Sequence, residues 1–294
     1  MHADLDHLYQ QMMDRLEQLR RERTEYKEIL GFYAKVLSAQ QEIQKETAAP
    51  EADLSEDRVR LKIGEGFSLF ERERLPVDRE TASRLFRNLC HLSLEENPVL
   101  AGAGRGLLEA MDSGRLDLHE LISAALNEDT EPMERAAARL EVEPAVLRAL
   151  VKLSLQPSLF AAAVRVAGRI SLDQWLHGYC PVCGAPPAMA ALVGEEGRRR
   201  VLCSFCGAMW HIPRLGCPFC ATTKKEDLHY FYGEQEDLYR VDVCDCCRGY
   251  LKTIDCRKGG DAEALAVEDV ATAHLDLLAE QEGYKRKAAR LWGI

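Results

Sequence analysis

The sequence predicts an α+β chain in two unlike parts: an all-α N-terminal helical domain, and a C-terminal Cys-rich domain closed by a C-terminal helix. Three observations predict it. Up to about residue 168, apolar residues recur at three- and four-residue steps and β-branched runs are scarce. Ten of the 11 Cys then fall between Cys180 and Cys256. Past Gly260, helical spacing returns. These changes divide the chain at 1–172, 173–260 and 261–294. A length of 294 residues suits two domains. A content of 47% apolar and 29% charged residues excludes wholesale disorder. The net charge of −10 speaks against a generic nucleic-acid or anionic-membrane binder, whose phosphate contacts need Lys and Arg.

Each element follows from local pattern. Leu5, Leu8, Met12, Leu16 and Leu19 form one helix stripe, suited to packing on its own domain or to docking a partner. Tyr26, Ile29, Tyr33 and Val36 continue it, with a break expected at Gly31. Residues 47–57 are polar, aperiodic and read as a loop. Leu85, Phe86, Leu89 and Leu92 mark one further helix; Leu116, Leu118, Leu121, Ile122 and Leu126 mark another. Pro144 suits a first helical turn, followed by an apolar face of Leu147, Leu150, Val151 and Leu155. Strands are expected at 198–202 (RRRVL) and 238–243 (LYRVDV), the latter from its alternation. Val267, Val270, His274, Leu277 and Leu278 form the last helix, which Gly283 ends.

The N-terminus lacks the basic and apolar regions of a secretory signal. No stretch reaches the roughly 20 apolar residues of a membrane span; the nearest, 159–168, is short and carries Arg165. The expected setting is the cytoplasm, with no membrane partner. In a reducing cytosol, clustered Cys read as metal ligands rather than disulfides.

Four pairs stand in order: Cys180 and Cys183, Cys203 and Cys206, Cys217 and Cys220, Cys244 and Cys247. A C-x₂-C turn places two sulfurs on one side of a tight loop, and two such turns complete a tetrahedral S₄ cage. The gaps of 19 and 23 residues inside successive pairs favour sequential pairing. Site one is therefore Cys180, Cys183, Cys203 and Cys206; site two is Cys217, Cys220, Cys244 and Cys247. Gly184 and Gly207 follow the second Cys of their knuckles, where positive φ lets the backbone curl toward sulfur. Ala221 and Arg248 hold those places in site two, which predicts a less regular site. Thiolate cages accept iron or zinc. The C-P-x-C form of the first and third knuckles is rubredoxin-like, and zinc ribbons share it. The ions would fix the fold, and a redox-sensing or partner-recognition role remains open beside that.

The remaining candidates are weaker. Cys246 would replace Cys247 only through an unusual C-x-C knuckle. Cys256 adjoins Arg257 and Lys258, cations of the kind that activate a thiol. Cys90 sits on a helix stripe as a core residue. His177 and His211 would be ligands only where a Cys is missing. Trp175, Tyr179 and Trp210 are placed to cover site one. Gly102, Gly104 and Gly106 lack the spacing of a phosphate loop, and no H-E-x-x-H or G-x-S-x-G is present. The triplet Arg198 to Arg200 could touch an acidic partner or nucleic acid, and a solvated strand accounts for it equally. Residues 180–258 hold 11 Lys and Arg against 10 Asp and Glu, so no basic footprint exists.

The sequence resembles the FdhE family, accessory proteins of formate dehydrogenase maturation. The resemblance rests on Trp175-Leu-His-Gly178-Tyr-Cys180-Pro-Val-Cys183-Gly184, on Cys203-Ser-Phe-Cys206-Gly207 with Trp210, and on Cys244-Asp-Cys-Cys247 with Tyr250-Leu251-Lys252. The last helix, His274-Leu-Asp-Leu-Leu with Glu282-Gly283-Tyr284, is similar too. It covers about 170–290. The resemblance implies a helical N-terminal part, two rubredoxin-like iron sites on the eight Cys above, and a cytoplasmic protein. It also implies binding to the catalytic subunit of formate dehydrogenase, a molybdenum or tungsten and iron–sulfur enzyme. The expected function is assembly rather than catalysis, with a homodimer permitted by the long first helix. The alternatives are a rubredoxin-like electron carrier and a zinc-ribbon nucleic-acid binder.

Overall fold

The computed structural model describes residues 2–47, 55–167, 175–234 and 236–289. Most of the loop expected at 47–57, and the boundary expected at 172/173, lie outside these residues.

The chain opens on α1 (His2–Glu22), a 3₁₀ turn (Thr24–Tyr26) and α2 (Lys27–Gln44). Leu5, Tyr9, Met12, Leu16 and Leu19 of α1 are buried, while the expected Leu8 is only half-buried. The break predicted at Gly31 falls instead at 23–26; α2 runs unbroken through Gly31, which faces the Arg20 guanidinium. After α3 (Glu56–Gly64) come α4 (Arg79–Ser93), α5 (Pro98–Asp112), α6 (Leu118–Asn127) and α7 (Glu131–Leu140). Asp78, Asn97 and Asp117 cap α4, α5 and α6 by accepting their first free backbone N–H groups. Gly102 to Gly106 lie inside α5, where Gly104 meets the backbone of Cys90 on α4, so this Gly run serves a helix crossing.

The central helix is α8 (Pro144–Ala167), which starts at Pro144 as expected. Over Pro144–Arg165 it has the length and composition of a membrane span, longer than the sequence reading allowed, but 78% of its 18-residue apolar window is buried inside the protein. Pro157 lies within it and has no N–H for the Leu153 carbonyl. Buried Gln40 of α2 supplies the missing donor, its Nε2 lying 2.7 Å from Leu153 O.

The second part is one seven-stranded sheet. Its strands are β1 (Pro187–Val193), β2 (Arg198–Cys203), β3 (Met209–Ile212), β4 (Leu228–Tyr232), β5 (Tyr239–Cys244), β6 (Gly249–Asp255) and β7 (Lys285–Arg286). The order is β3-β2-β1-β6-β5-β4, with β7 beside β6. Two antiparallel three-stranded units, β1–β3 and β4–β6, join through the parallel β1–β6 pair. Each unit repeats one plan: a knuckle, a hairpin, a second knuckle and a third strand. The sheet is thus continuous across both Cys groups.

The closing helical segment is two short helices, α9 (Leu265–Val270) and α10 (Ala273–Gln281), rather than one. The expected stripe breaks with them, and Leu277 is exposed. They cover one sheet face, against Tyr239, Val241, Val243, Tyr250 and Ile254. Gly283 ends α10 at φ +80°, as predicted.

Candidate metal centres

Each knuckle is held by its own backbone. Cys180 N donates to Ala185 O at 2.8 Å and Gly184 N to Cys180 O at 2.9 Å. Cys203 and Cys217 repeat the first bond to Ala208 O and Thr222 O at 2.8 and 2.9 Å. The second and fourth knuckles occupy the β2–β3 and β5–β6 turns, so strand pairing fixes where their sulfurs meet the first and third.

Site one gathers Cys180, Cys183, Cys203 and Cys206; site two gathers Cys217, Cys220, Cys244 and Cys247. Within each group all four sulfurs lie within 4.8 Å of one another. The shortest cross-knuckle separations are Cys180–Cys206 3.6 Å, Cys183–Cys203 3.5 Å, Cys217–Cys247 3.6 Å and Cys220–Cys244 3.7 Å. A disulfide needs about 2.05 Å. A tetrahedron with metal–sulfur bonds of about 2.3 Å has edges of about 3.8 Å. The sulfurs are therefore spaced for a shared ion. Backbone donors point at the thiolate positions as well: Val182 N on Cys180 Sγ, Cys206 N on Cys203 Sγ and Phe219 N on Cys217 Sγ, each at 3.4 Å. Both donor sets fit an iron or zinc ion.

The predicted irregularity of site two is absent. Ala221 and Arg248 take φ of +58° and +54°, beside +75° and +72° for Gly184 and Gly207. All four knuckles end in the same left-handed turn, and site two adopts it with side chains present.

The two sites differ in surroundings. Site one is sealed within the main core, together with α-helical side chains. A segment between α3 and α4 straps it. Leu69 N and Phe70 N donate to Pro181 O and Val182 O at 2.9 Å, Ser68 Oγ to Cys180 O at 3.0 Å and Arg72 Nε to Cys183 O at 3.2 Å. Nothing in the sequence marks 68–72 as this strap. Trp175 and Trp210 are buried, donating to Tyr179 O and His177 O at 2.9 and 3.0 Å, so they lock the entry to the first knuckle. Burial pushes the Cys180 and Cys206 thiols well up. Burial opposes Cys203 too, but the neighbouring thiols that donate to it hold it well below the ordinary thiol value. Four thiols so placed do not ionise together without a cation to share.

In site two Cys217 and Cys244 are buried, Cys247 is partly exposed and Cys220 reaches solvent. Cys246 is exposed and stands outside the four-sulfur group. His177 stacks on Tyr179 at 5.0 Å and belongs to neither group. Nor does His211, which lies on β3. Cys256 is not an activated thiol. Burial among Glu268, Asp261 and Asp255 pushes it up to about 12, and Arg257 is engaged by Asp255 at 2.6 Å. Cys90 is a core residue, as expected. Two members of the basic triplet are engaged within the molecule, Arg199 pairing with Asp242 at 3.1 Å and Arg200 with Glu263, while Arg198 is exposed.

Comparison with known proteins places these centres in a family. Residues 179–214 match the family described as FdhE, central domain, and 215–292 match FdhE, C-terminal domain. The chain is 41% identical over 123 residues to the "Protein FdhE homolog" of Stutzerimonas stutzeri, covering 40% of this chain and 38% of that one. It is 35% identical over 115 residues to the homolog of Aquifex aeolicus, covering 38% and 40%. These matches thus span about two fifths of the relatives' length. The crystal structure of the FdhE protein from Pseudomonas aeruginosa has the same fold at a TM-score of 0.66 and 24% identity, across 98% of this chain and 96% of that one. Residues 179–292, which carry both centres, thus match the central and C-terminal domains of the FdhE family, and the fold along nearly the whole chain is that of the Pseudomonas aeruginosa protein.

Proposed function

We propose that the protein is a cytoplasmic accessory factor in the assembly of formate dehydrogenase, and that it binds the immature catalytic subunit without being an enzyme itself. The observation that carries this reading is the tandem knuckle unit, which lies within the part matched to the FdhE family and forms two complete sulfur cages. The eight ligands are Cys180, Cys183, Cys203, Cys206, Cys217, Cys220, Cys244 and Cys247. Zinc there would act as a cross-link; iron would add a one-electron couple. Site one, sealed and strapped, serves the fold. Site two, with Cys220 at the surface, is the one suited to sense redox state.

The test uses the purified full chain, immobilised, with the immature and the mature catalytic subunit of the dehydrogenase from the same organism. Retention of the immature form, and loss of dehydrogenase activity in cells without the chain, are expected. No retention together with full activity in those cells overturns the reading. The exposed sulfur of site two also favours an electron carrier as the second reading. A zinc-loaded protein that still supports dehydrogenase activity excludes that one.

A further inference from the structure

A cleft of about 290 Å³ opens beside site two, on the sheet face opposite α9 and α10. Arg199 of β2 with Arg240 and Asp242 of β5 form its floor, Arg214 and Leu215 wall it, and Tyr230 of β4 forms its rim. Its charge is unbalanced. Asp242 is the one carboxylate facing three guanidiniums, and its oxygens are already taken by Arg199 at 3.1 Å, Arg240 at 2.9 Å and the Thr253 hydroxyl at 2.6 Å. Arg199 is only 5% exposed, yet its Nε has no acceptor. This positive cleft lies on a chain of net charge −10.

The rim is apolar and aromatic. Leu215 is 67% exposed and Tyr230 57%, and outside the cleft Tyr232 packs edge-on to Tyr230 at 5.8 Å. Arg240 stacks over Tyr230 at 4.6 Å. Tyr and Arg are the side chains that most often dominate protein–protein binding energy. β4 is also an edge strand with no further strand paired to its outer side among the described residues. Such an edge accepts an extended peptide backbone. A small oxyanion would use neither the edge nor the rim.

We propose that this cleft docks an extended acidic segment of the client polypeptide. An Asp or Glu carboxylate enters between Arg214 and Arg240, its apolar neighbours cover Leu215 and Tyr230, and its backbone follows the free edge of β4. This deepens the accessory-factor reading, on which it rests, by assigning the surface that grips.

Affinity for the immature catalytic subunit tests it, measured on the full chain and on Arg214→Glu, Tyr230→Ala and the remote control Leu277→Ala. Each cleft variant should bind about tenfold or more weakly. The Arg214→Glu deficit should narrow at high salt, as screened charges require. Leu277→Ala should bind as wild type, and melting temperature and metal content should stay constant throughout. Poly-glutamate should compete with the client and poly-lysine should not. If wild type and cleft variants bind alike, the cleft is wrong and the accessory reading stands. If wild type retains no client, both fall. Metal loss in Arg214→Glu assigns the guanidiniums to the sulfur cage and overturns the docking. Displacement by RNA but not by poly-glutamate overturns it in favour of a nucleic acid.

Discussion

Arg248 is a left-handed residue held by what it touches. Its guanidinium bonds Asp245 at 2.7 Å and Glu282 O at 3.0 Å, and lies 4.0 Å from the Tyr284 ring. Its carbonyl accepts from Lys285 N at 2.7 Å. The fourth knuckle therefore clamps the C-terminal segment, and those contacts offset the strain of positive φ. Ala221, at the same place in the third knuckle, has no side chain long enough to compensate. A left-handed non-glycine residue costs roughly 1–2 kcal/mol, part of which glycine gives back as chain entropy. Ala221→Gly should therefore stabilise the protein by about 0.5 kcal/mol, whereas Arg248→Gly should destabilise it by about 1–2 kcal/mol. Chemical denaturation of both variants checks this; equal effects would deny the clamp. The grouping of the eight Cys into two sets of four was legible because a knuckle is a local pattern. The regularity of site two was not, because the β5–β6 pairing imposes the turn at Arg248 and the Cys217 N–Thr222 O and Ala221 N–Cys217 O bonds impose it at Ala221, where no Gly announces it.

The strands divide in the same way. β5 was legible because Tyr239, Val241 and Val243 point into the core while Arg240 and Asp242 do not. β6 was hidden because every position but its last is buried, which erases the alternation. Its Lys252 is the least expected core residue, at 1% exposure. Lys252 Nζ pairs with Asp269 at 2.9 Å and Asp276 at 2.7 Å; Arg286 reaches the same two carboxylates at 2.7 and 2.8 Å. Tyr250 adds a hydroxyl to Asp276 at 2.7 Å. Two cations and two anions so close balance one another and pin α9, α10 and β7 to the sheet. Asp276→Asn leaves two buried cations with one carboxylate and should cost about 3–5 kcal/mol. A loss under 1 kcal/mol in urea unfolding would show that the network adds nothing to the fold. The network also explains why one closing helix was expected and two were found. The chain turns at Ala271 and Thr272, between the helices that carry Asp269 and Asp276, whose carboxylates meet at Lys252.

At the scale of the molecule, α1 and the turn after it bind the helical part to the sheet. Arg15 bonds Glu268 at 2.6 Å and Tyr239 at 3.2 Å. Arg23 pairs with Glu236, which also meets His274 at 3.0 Å, and Tyr26 meets His274 at 2.8 Å. Of the two roles open to the first helix, packing on its own protein accounts for its stripe. Which sheet residues it would meet was not legible, since partners over 200 positions apart leave no trace in spacing. Burial works against the Glu236 charge, but bonds from His274 and Arg23 hold its carboxyl below the ordinary value. A depressed carboxyl contributes stability above its unfolded pKa, near 4.3, and loses it as pH falls toward the lower folded value. Wild type should therefore exceed Glu236→Gln by about 1–2 kcal/mol at pH 7, and the gap should close below roughly pH 4. A gap that stays constant down to pH 3 would place the effect elsewhere.

Two independent sulfur cages, paired in sequence order, are expected to hold one ion each. Metal analysis with a visible spectrum tests it most directly, on full chain purified without air from cells supplied with iron and zinc. The predicted result is two ions per chain for wild type, with one each for Cys203→Ser and Cys220→Ser. Thiolate-to-iron absorption would identify iron, and a colourless protein zinc. An unchanged metal content in either variant would contradict the account.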